Sequence, residues 1–218
     1  VVNLEVKSHI EEGKNIDLSR DLQIAISEYA PESQLVANGK LWTGRYIKKI
    51  KNREPLKYIF ESCRCGYFKK QLISTANETN SSCPICGNKK INSGQYMMPE
   101  FGFITEDKVE NPGSIKPKKT YSSRKHFSGV GEILESKEII LGKSIVELTS
   151  MTHGQLTVLN NGKGRGFYVC KICGYGTIEK YPSTHKSSNK RDCIGKFERV
   201  SLGYDFETDI LEINFANT

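Results

Sequence analysis

No stretch of this chain approaches the roughly 20 consecutive apolar residues that a helix needs to cross a membrane. No secretory leader is visible either: there is no basic start, short apolar run and small-residue cleavage site. Tryptophan is nearly absent, with one residue, Trp42, and histidine is scarce, with four. The chain also lacks an even set of cysteines: seven would leave one over in any full disulfide pairing. Together these exclude a membrane-spanning helix and argue against a secreted disulfide scaffold; the cysteines are expected to be reduced, and the expected compartment is the cytoplasm. With an apolar fraction of 37%, the 218 residues suit one ordinary domain or two small ones with a modest core. The chain starts at Val1 with no methionine, and the expectation is a piece of something longer.

What the chain does have is cysteine in pairs. Phe167-Tyr-Val-Cys-Lys-Ile-Cys-Gly174 is a strand-like run ending in a Cys-x-x-Cys-Gly turn, and Cys83-Pro-Ile-Cys-Gly87 is its upstream counterpart. Such a turn aims two thiolates at one tetrahedral ion, and its glycine takes the dihedrals that the tight bend demands. The upstream turn finds its partner in Cys63-Arg-Cys65, with 17 residues between Cys65 and Cys83. Downstream, Cys170 and Cys173 are followed after 11 residues by His185 and after 7 more by Cys193. The expectation is two structural zinc ions, one held by Cys63, Cys65, Cys83 and Cys86 and one by Cys170, Cys173, His185 and Cys193. A thioredoxin-like redox pair is the rival for a lone Cys-x-x-Cys, but both pairs have partners and no βαβ pattern surrounds them.

The expected fold is mainly β with a few short helices: a zinc ribbon beside an antiparallel β domain that carries the second zinc site. Leu22, Ile26 and Tyr29 lie at helical spacing over residues 19–29, with Ser19 as N-cap, and Ala30-Pro31 ends that helix. Asn38-Gly39 between two short apolar runs marks a β-hairpin, with Trp42 as a packing anchor on its second strand. The ribbon is placed at residues 56–98, with the polar stretch 71–82 as its loop, and residues 1–55 are read as part of the β domain. Residues 99–126 read as a basic linker and 127–218 as the β domain. In the closing strand a one-residue change of apolar phase requires a bulge near residues 208–210.

The net charge of +7 favours a polyanionic partner. Candidate backbone contacts are Lys116, Lys118, Lys119, Arg124 and Lys125 in the linker, and Lys163 and Arg165 in the turn Gly162-Lys-Gly-Arg-Gly166. That turn is not a phosphate cradle of the usual kind, because a strand and not a helix follows it. Gly142-Lys143-Ser144 lacks the glycine that a P-loop needs five residues earlier. Asp205, Glu207 and Asp209 alternate on a strand and read as a solvated or hydrogen-bonding row rather than a cation site, and His126 and His153 have no nucleophile beside them. No catalytic constellation is complete, so an enzyme is not expected.

Four segments together resemble one family: Arg20-Asp-Leu-Gln-Ile-Ala-Ile-Ser-Glu-Tyr-Ala-Pro31, Leu35-Val-Ala-Asn-Gly-Lys-Leu-Trp42, residues 159–174, and Leu202-Gly-Tyr-Asp-Phe-Glu-Thr-Asp-Ile-Leu-Glu-Ile-Asn-Phe215. They resemble the cysteine-bearing domain of unknown function at the C-termini of certain DEAD/DEAH-box helicases and in the DrmB component of the DISARM anti-phage system. The resemblance implies a metal-binding accessory module that works with a superfamily 2 helicase on DNA, the helicase lying in the same chain or in a partner. Cys170, Cys173 and Cys193 fall on the family's metal ligands, and His185 is the candidate fourth. Motor motifs are absent from this sequence, so ATP hydrolysis does not carry over. The alternative expectation is a protein-docking module whose zinc only stabilises the fold.

Overall fold

The computed structural model describes residues 1–14, 16–76, 80–114, 116–121, 125–142, 144–179 and 181–215. Among them the fold is mainly β, with one α-helix and two short 3-10 turns. A five-stranded sheet gathers the N-terminal half: β1 (Val2–Glu5), β2 (Ser19–Arg20), β3 (Gln34–Ala37), β4 (Lys40–Ile47) and β8 (Phe103–Thr105), in the order β2-β1-β8-β4-β3. The larger sheet runs β10 (Glu132–Leu141), β11 (Ser144–Asn160), β16 (Phe197–Phe215), β7 (Asn92–Met97), β5 (Lys57–Ser62) and β6 (Phe68–Leu72). At its side lie β9 (His126–Gly129), β12 (Phe167–Cys170) and β13 (Gly176–Thr177), and β14 (His185–Lys186) pairs with β15 (Asp192–Cys193).

Local chemistry accounts for the N-terminal elements. Helix α1 (Leu22–Glu28) buries Leu22, Ala25 and Ile26, with Asp21 and not Ser19 at its N-cap position. The hairpin β3-β4 turns on Asn38 and Gly39 with φ of 48° and 70°, as a two-residue turn between right-twisted strands requires. Trp42 is fully buried and donates its indole N–H to the Ala37 carbonyl at 3.0 Å.

One core joins the two halves. Leu4, Ile26, Phe103, Val158, Phe167 and Leu202 meet in it, so α1 and the five-stranded sheet pack on the inner half of the larger sheet. A satellite cluster of Phe68, Tyr96 and Leu159 fills the space under β5, β6 and β7. Strand β7 pairs in parallel with β16 at Tyr96↔Ser201 and Met97↔Leu202, which makes the segment bearing the upstream cysteines continuous with the main sheet. The irregularity expected near residues 208–210 is present, and its extra residue sits on the facing strand: Met151↔Ile210 is followed by Gly154↔Thr208, with His153 at φ 54°.

Beyond that bulge β10, β11 and the end of β16 continue as a three-stranded arm. Residues directly opposite each other share a face. Leu141, Ile139, Phe215, Ile213 and Leu211 therefore line one side with the buried Val146 and the Lys137–Glu135 ion pair, and all but Val146 are exposed. Glu138, Glu147 and Glu212 lie on the other side, together with the exposed Ile140 and Ile145.

Candidate metal centres

The two Cys-x-x-Cys-Gly turns fold alike. In the upstream one the Cys83 N–H bonds to the Asn88 carbonyl at 2.8 Å and the Gly87 N–H returns to the Cys83 carbonyl at 2.9 Å. Downstream, Cys170 N–H bonds to the Tyr175 carbonyl at 2.8 Å and Gly174 N–H to the Cys170 carbonyl at 3.0 Å. The Cys63-Arg-Cys65-Gly66 turn closes similarly, with Cys63 N–H on the Tyr67 carbonyl at 2.9 Å. At Gly174 the residue type is forced twice: φ is 76°, and a Cβ would fall 1.9 Å from the Ile47 carbonyl oxygen. That carbonyl approach comes from Ile47 N–H pairing with the Gly174 carbonyl at 2.8 Å, which locks the downstream turn to β4.

The side chains converge as the spacing implies. Donor atoms of Cys63, Cys65, Cys83 and Cys86 lie within 4.8 Å of one another, and so do those of Cys170, Cys173, His185 and Cys193. Sulfur separations are 3.6 Å for Cys63 to Cys86, 3.6 Å for Cys65 to Cys83 and 3.7 Å for Cys170 to Cys193. A disulfide needs about 2.05 Å. The edge of a tetrahedron with metal to sulfur bonds of about 2.3 Å is roughly 3.8 Å, which these gaps match. All seven cysteines are free thiols.

His185 stands on β14 directly opposite Cys193 on β15. This pairing explains the spacing of the two ligands, and two-residue strands leave no periodic signal by which sequence could reveal them. The imidazole is walled by Phe197 at 4.8 Å and Tyr175 at 5.3 Å between ring centres. Its Nε2 is buried and has no hydrogen-bond partner among the described residues. A buried ring nitrogen left unpaired costs free energy unless something accepts its lone pair or takes its proton, and an ion among three sulfurs does so. Burial also lowers the His185 pKa, which keeps the ring in the neutral, metal-binding form. The residues present therefore fit a tetrahedral ion at both clusters.

The thiols titrate apart, as crowded acids do. Burial acts to raise Cys83, but the N–H groups of Cys86 and Ile85 outweigh it and bring it to about 7. The Asn88 N–H acts to lower Cys86, but the Cys63 and Cys65 sulfurs beside it prevail and push it to about 12. Burial holds Cys173 well above an ordinary thiol. A cation shared by all four donors removes this conflict.

The acidic row does not assemble into a cation site. Among the described residues the two cysteine clusters are the groups that can hold a metal. Asp205 accepts from Thr157 at 2.6 Å and Tyr96 at 3.1 Å and pairs with Lys70 at 2.9 Å. Asp209 accepts from Thr152 at 2.8 Å, and Glu207 faces His153 at 3.5 Å.

The basic candidates are dispersed in their roles. Lys116 is exposed; Lys119 pairs with Glu28 at 3.2 Å; Lys118 lines a cleft shared with Glu32, Glu106, Glu110 and Glu179. Lys125 stands 5.4 Å over the Phe206 ring, and Arg124 lies outside the described residues. Lys163 and Arg165 are exposed on the glycine turn. His126 stacks on Phe68 at 4.6 Å. Among the described residues, no helix is long and apolar enough to cross a membrane.

Fold and site together define a β protein built around two cysteine-rich clusters suited to metal ions. The chain is similar to Druantia protein DruE of Escherichia coli (strain UMEA 4076-1), at 28% identity over 215 aligned residues. The alignment takes in 86% of this chain and 11% of DruE, so the chain spans about a ninth of that protein's length. No family model matches the chain, and no solved structure matches it.

Proposed function

We propose that this chain is a non-catalytic accessory module of an anti-phage defence complex, held together by two zinc ions and contacting the nucleic acid on which a helicase partner works. The defence setting takes its support from the resemblance to DrmB and from the likeness to DruE. Zinc is the ion that suits Cys₄ and Cys₃His donors, and two filled sets leave no open position for an activated water. On this reading residues 56–98 act as a zinc ribbon fused edge-on to the main sheet.

The observation that carries the nucleic-acid contact is the segregation of charge. Residues 130–152 and 207–215 of the arm hold seven carboxylates against two lysines, a net of −5, which leaves +12 on the rest of a chain of net +7. A body so basic attracts phosphate, and the acidic arm is turned to something else. Binding of the zinc-loaded chain to labelled DNA across a salt series tests this. Micromolar affinity that fades with salt is expected; no binding at low salt with two zincs per chain refutes the nucleic-acid contact.

The arm favours a second role in the same complex. Its apolar face is about 17 Å by 14 Å, from five residues and three strands at ordinary spacings. Two such acidic arms repel each other, which disfavours a dimer through this face. The fitting occupant is a protein partner with an apolar ridge rimmed by lysine and arginine, such as a helicase subunit. Ile213→Ser with Leu211→Ser then weakens co-purification with that subunit and leaves the isolated chain monomeric. A wild-type chain that dimerises through this face contradicts the assignment.

A further inference from the structure

A cleft of about 570 Å³ opens between the upstream cysteine turn and the glycine turn 161–166. Phe60 and His126 contribute aromatic rings to it, Arg64 and Arg199 contribute guanidinium groups, and Asn92 and Asn161 contribute amides. No aspartate or glutamate lines it, whereas three other clefts each hold at least one: Glu106 in one, Asp107 in another, Asp17 in a third. In a chain with 25 carboxylates, a cleft of this size free of them is a selective environment for an anion.

The cations around it are unspent. Arg64, Lys163, Arg165 and Arg199 are exposed and have no ion-pair partner among the described residues, while Lys57, Lys70 and Lys119 are each committed to a carboxylate. Arg199 uses its Nε to bond the Arg165 carbonyl, which fixes the guanidinium against the glycine turn. Most of the turn's own amides are consumed: Gly162 bonds to the Asn160 side chain, Gly164 and Gly166 to Asn161, and Arg165 to the Gly162 carbonyl. Backbone groups so engaged cannot wrap a terminal phosphate, as a nucleotide-triphosphate loop does. What remains is a pair of side-chain cations in a cleft that also carries two aromatic rings, and that combination suits phosphodiesters of one charge each with bases turned inward. Bases in a duplex are stacked and cannot reach such rings.

We propose that this cleft is a binding site for a single strand of nucleic acid. Arg64 and Arg199 take successive phosphates, Lys163 and Arg165 extend the track, and a base lies against Phe60 and His126. The site rests on the nucleic-acid reading above and gives it a location, away from the carboxylate-rich surroundings of Lys118.

The test is fluorescence anisotropy of the zinc-loaded 218-residue chain with a labelled oligothymidine, compared with a duplex of equal length. Arg64→Gln with Arg199→Gln is expected to weaken single-strand binding about tenfold or more and to flatten the salt slope by about 1.4, at about 0.7 per lost phosphate. Lys116→Gln with Lys118→Gln is expected to change neither by much. Photo-crosslinking of the unaltered chain to an iodouracil-bearing strand, mapped by mass spectrometry, checks the site without relying on a variant's folding; adducts at Phe60 or His126 are expected. Wild-type binding with unchanged affinity in a doubly substituted protein that retains two zincs overturns the cleft and spares the nucleic-acid reading. Adducts confined to other surfaces do the same. A wild-type chain that binds no strand at low salt overturns both.

Discussion

Replacing Asn160 by leucine should be among the most damaging single changes in the chain, although the residue lies in neither cysteine cluster. Asn160 is fully buried at the end of β11, where its Nδ2 donates to the Ile26 carbonyl at 2.6 Å and to Thr120 Oγ1 at 2.8 Å. Its Oδ1 accepts the Gly162 N–H at 3.1 Å. Ile26 and Ser27 are in the last turn of α1, whose carbonyls have no partners within the helix. Pro31, lacking an N–H, cannot serve Ser27 either. Ser33 donates to the Ser27 carbonyl at 2.9 Å and Asn160 to that of Ile26, so one side chain from just past the helix and one from the distant β11 cap it. Leucine matches asparagine closely in shape, so the cost is almost wholly polar. Three bonds at about 1 kcal/mol each are lost, and the stranded Ile26 carbonyl and Gly162 N–H add about 1 kcal/mol or more apiece, for a total of roughly 4–6 kcal/mol. With a urea dependence of about 2–3 kcal/mol per molar for a chain of this size, the unfolding midpoint should fall by roughly 1.3–3 M. Thr152→Val, which removes the exposed bond to Asp209, serves as the control and should cost less than about 0.5 kcal/mol. A midpoint for Asn160→Leu within about 0.3 M of wild type would refute the capping argument.

Gly203→Ala should destabilise by about 1–3 kcal/mol or more, measured by the same urea titration, because the added Cβ would fall 2.2 Å from the Tyr96 ring and both strands are held by pairing. Cys65→Ser and Cys193→Ser should each lower bound zinc from two ions to one by a metal-release assay. Cys193→Ser should lower the melting temperature further, since the Cys170–Gly174 turn of the same cluster is locked to β4 and Cys170 is fully buried, while Cys65 and Cys86 are exposed. Tyr96 has its pKa raised by burial and by the Asp205 carboxylate. A group raised in the folded state contributes stability below its unfolded pKa, near 10 for tyrosine, and loses it as pH climbs beyond, at up to about 1.4 kcal/mol per unit. Stability should therefore decline above pH 10, and Tyr96→Phe should be less stable at pH 7 yet decline more gently; an unchanged slope would count against the Asp205 contact.

The parts of this fold that sequence could express were those with a local cause. Asn38-Gly39 needs positive φ wherever it sits, and the Cys-x-x-Cys-Gly turns need their glycines, so both were legible. Pro31 likewise marked the helix end. The phase slip in the closing strand showed that an irregularity was required, but which of two paired strands carries the extra residue depends on the partner, and Thr152 and His153 carry it. Arg199 and Arg64 give no binding signal in sequence because each is isolated among unlike neighbours. They become a pair only when β16 brings the glycine turn beside the Cys63 turn. Lys116, Lys118 and Lys119 drew attention through local density, which says nothing of the carboxylates that folding sets against two of them. Asp205 reads in sequence as one of a solvated or hydrogen-bonding row, without naming its partner; the Leu-Gly-Tyr-Asp run has a structural cause in Tyr96, which needs Gly203 for space and Asp205 for its hydroxyl.

Strand β16 connects everything that the function calls on. It pairs with β12 at residues 197–200 beside the downstream cluster, then with β7 at Ser201 and Leu202, which leads to the upstream cluster, then with β11 out along the arm. Only two residue pairs tie β7 to it, whereas β11 faces it over most of its length. A sheet joined by so short a seam should open there first, because little backbone pairing opposes the gain in chain entropy. Hydrogen exchange after removal of the upstream metal by Cys65→Ser should show it: amides of β5, β6 and β7 lose protection, while those of β12 and of β16 beyond Gly203 keep theirs. Loss of protection spreading through β12 would mean that the two clusters unfold as one unit, and that the upstream segment is no separable clamp over the proposed strand-binding cleft.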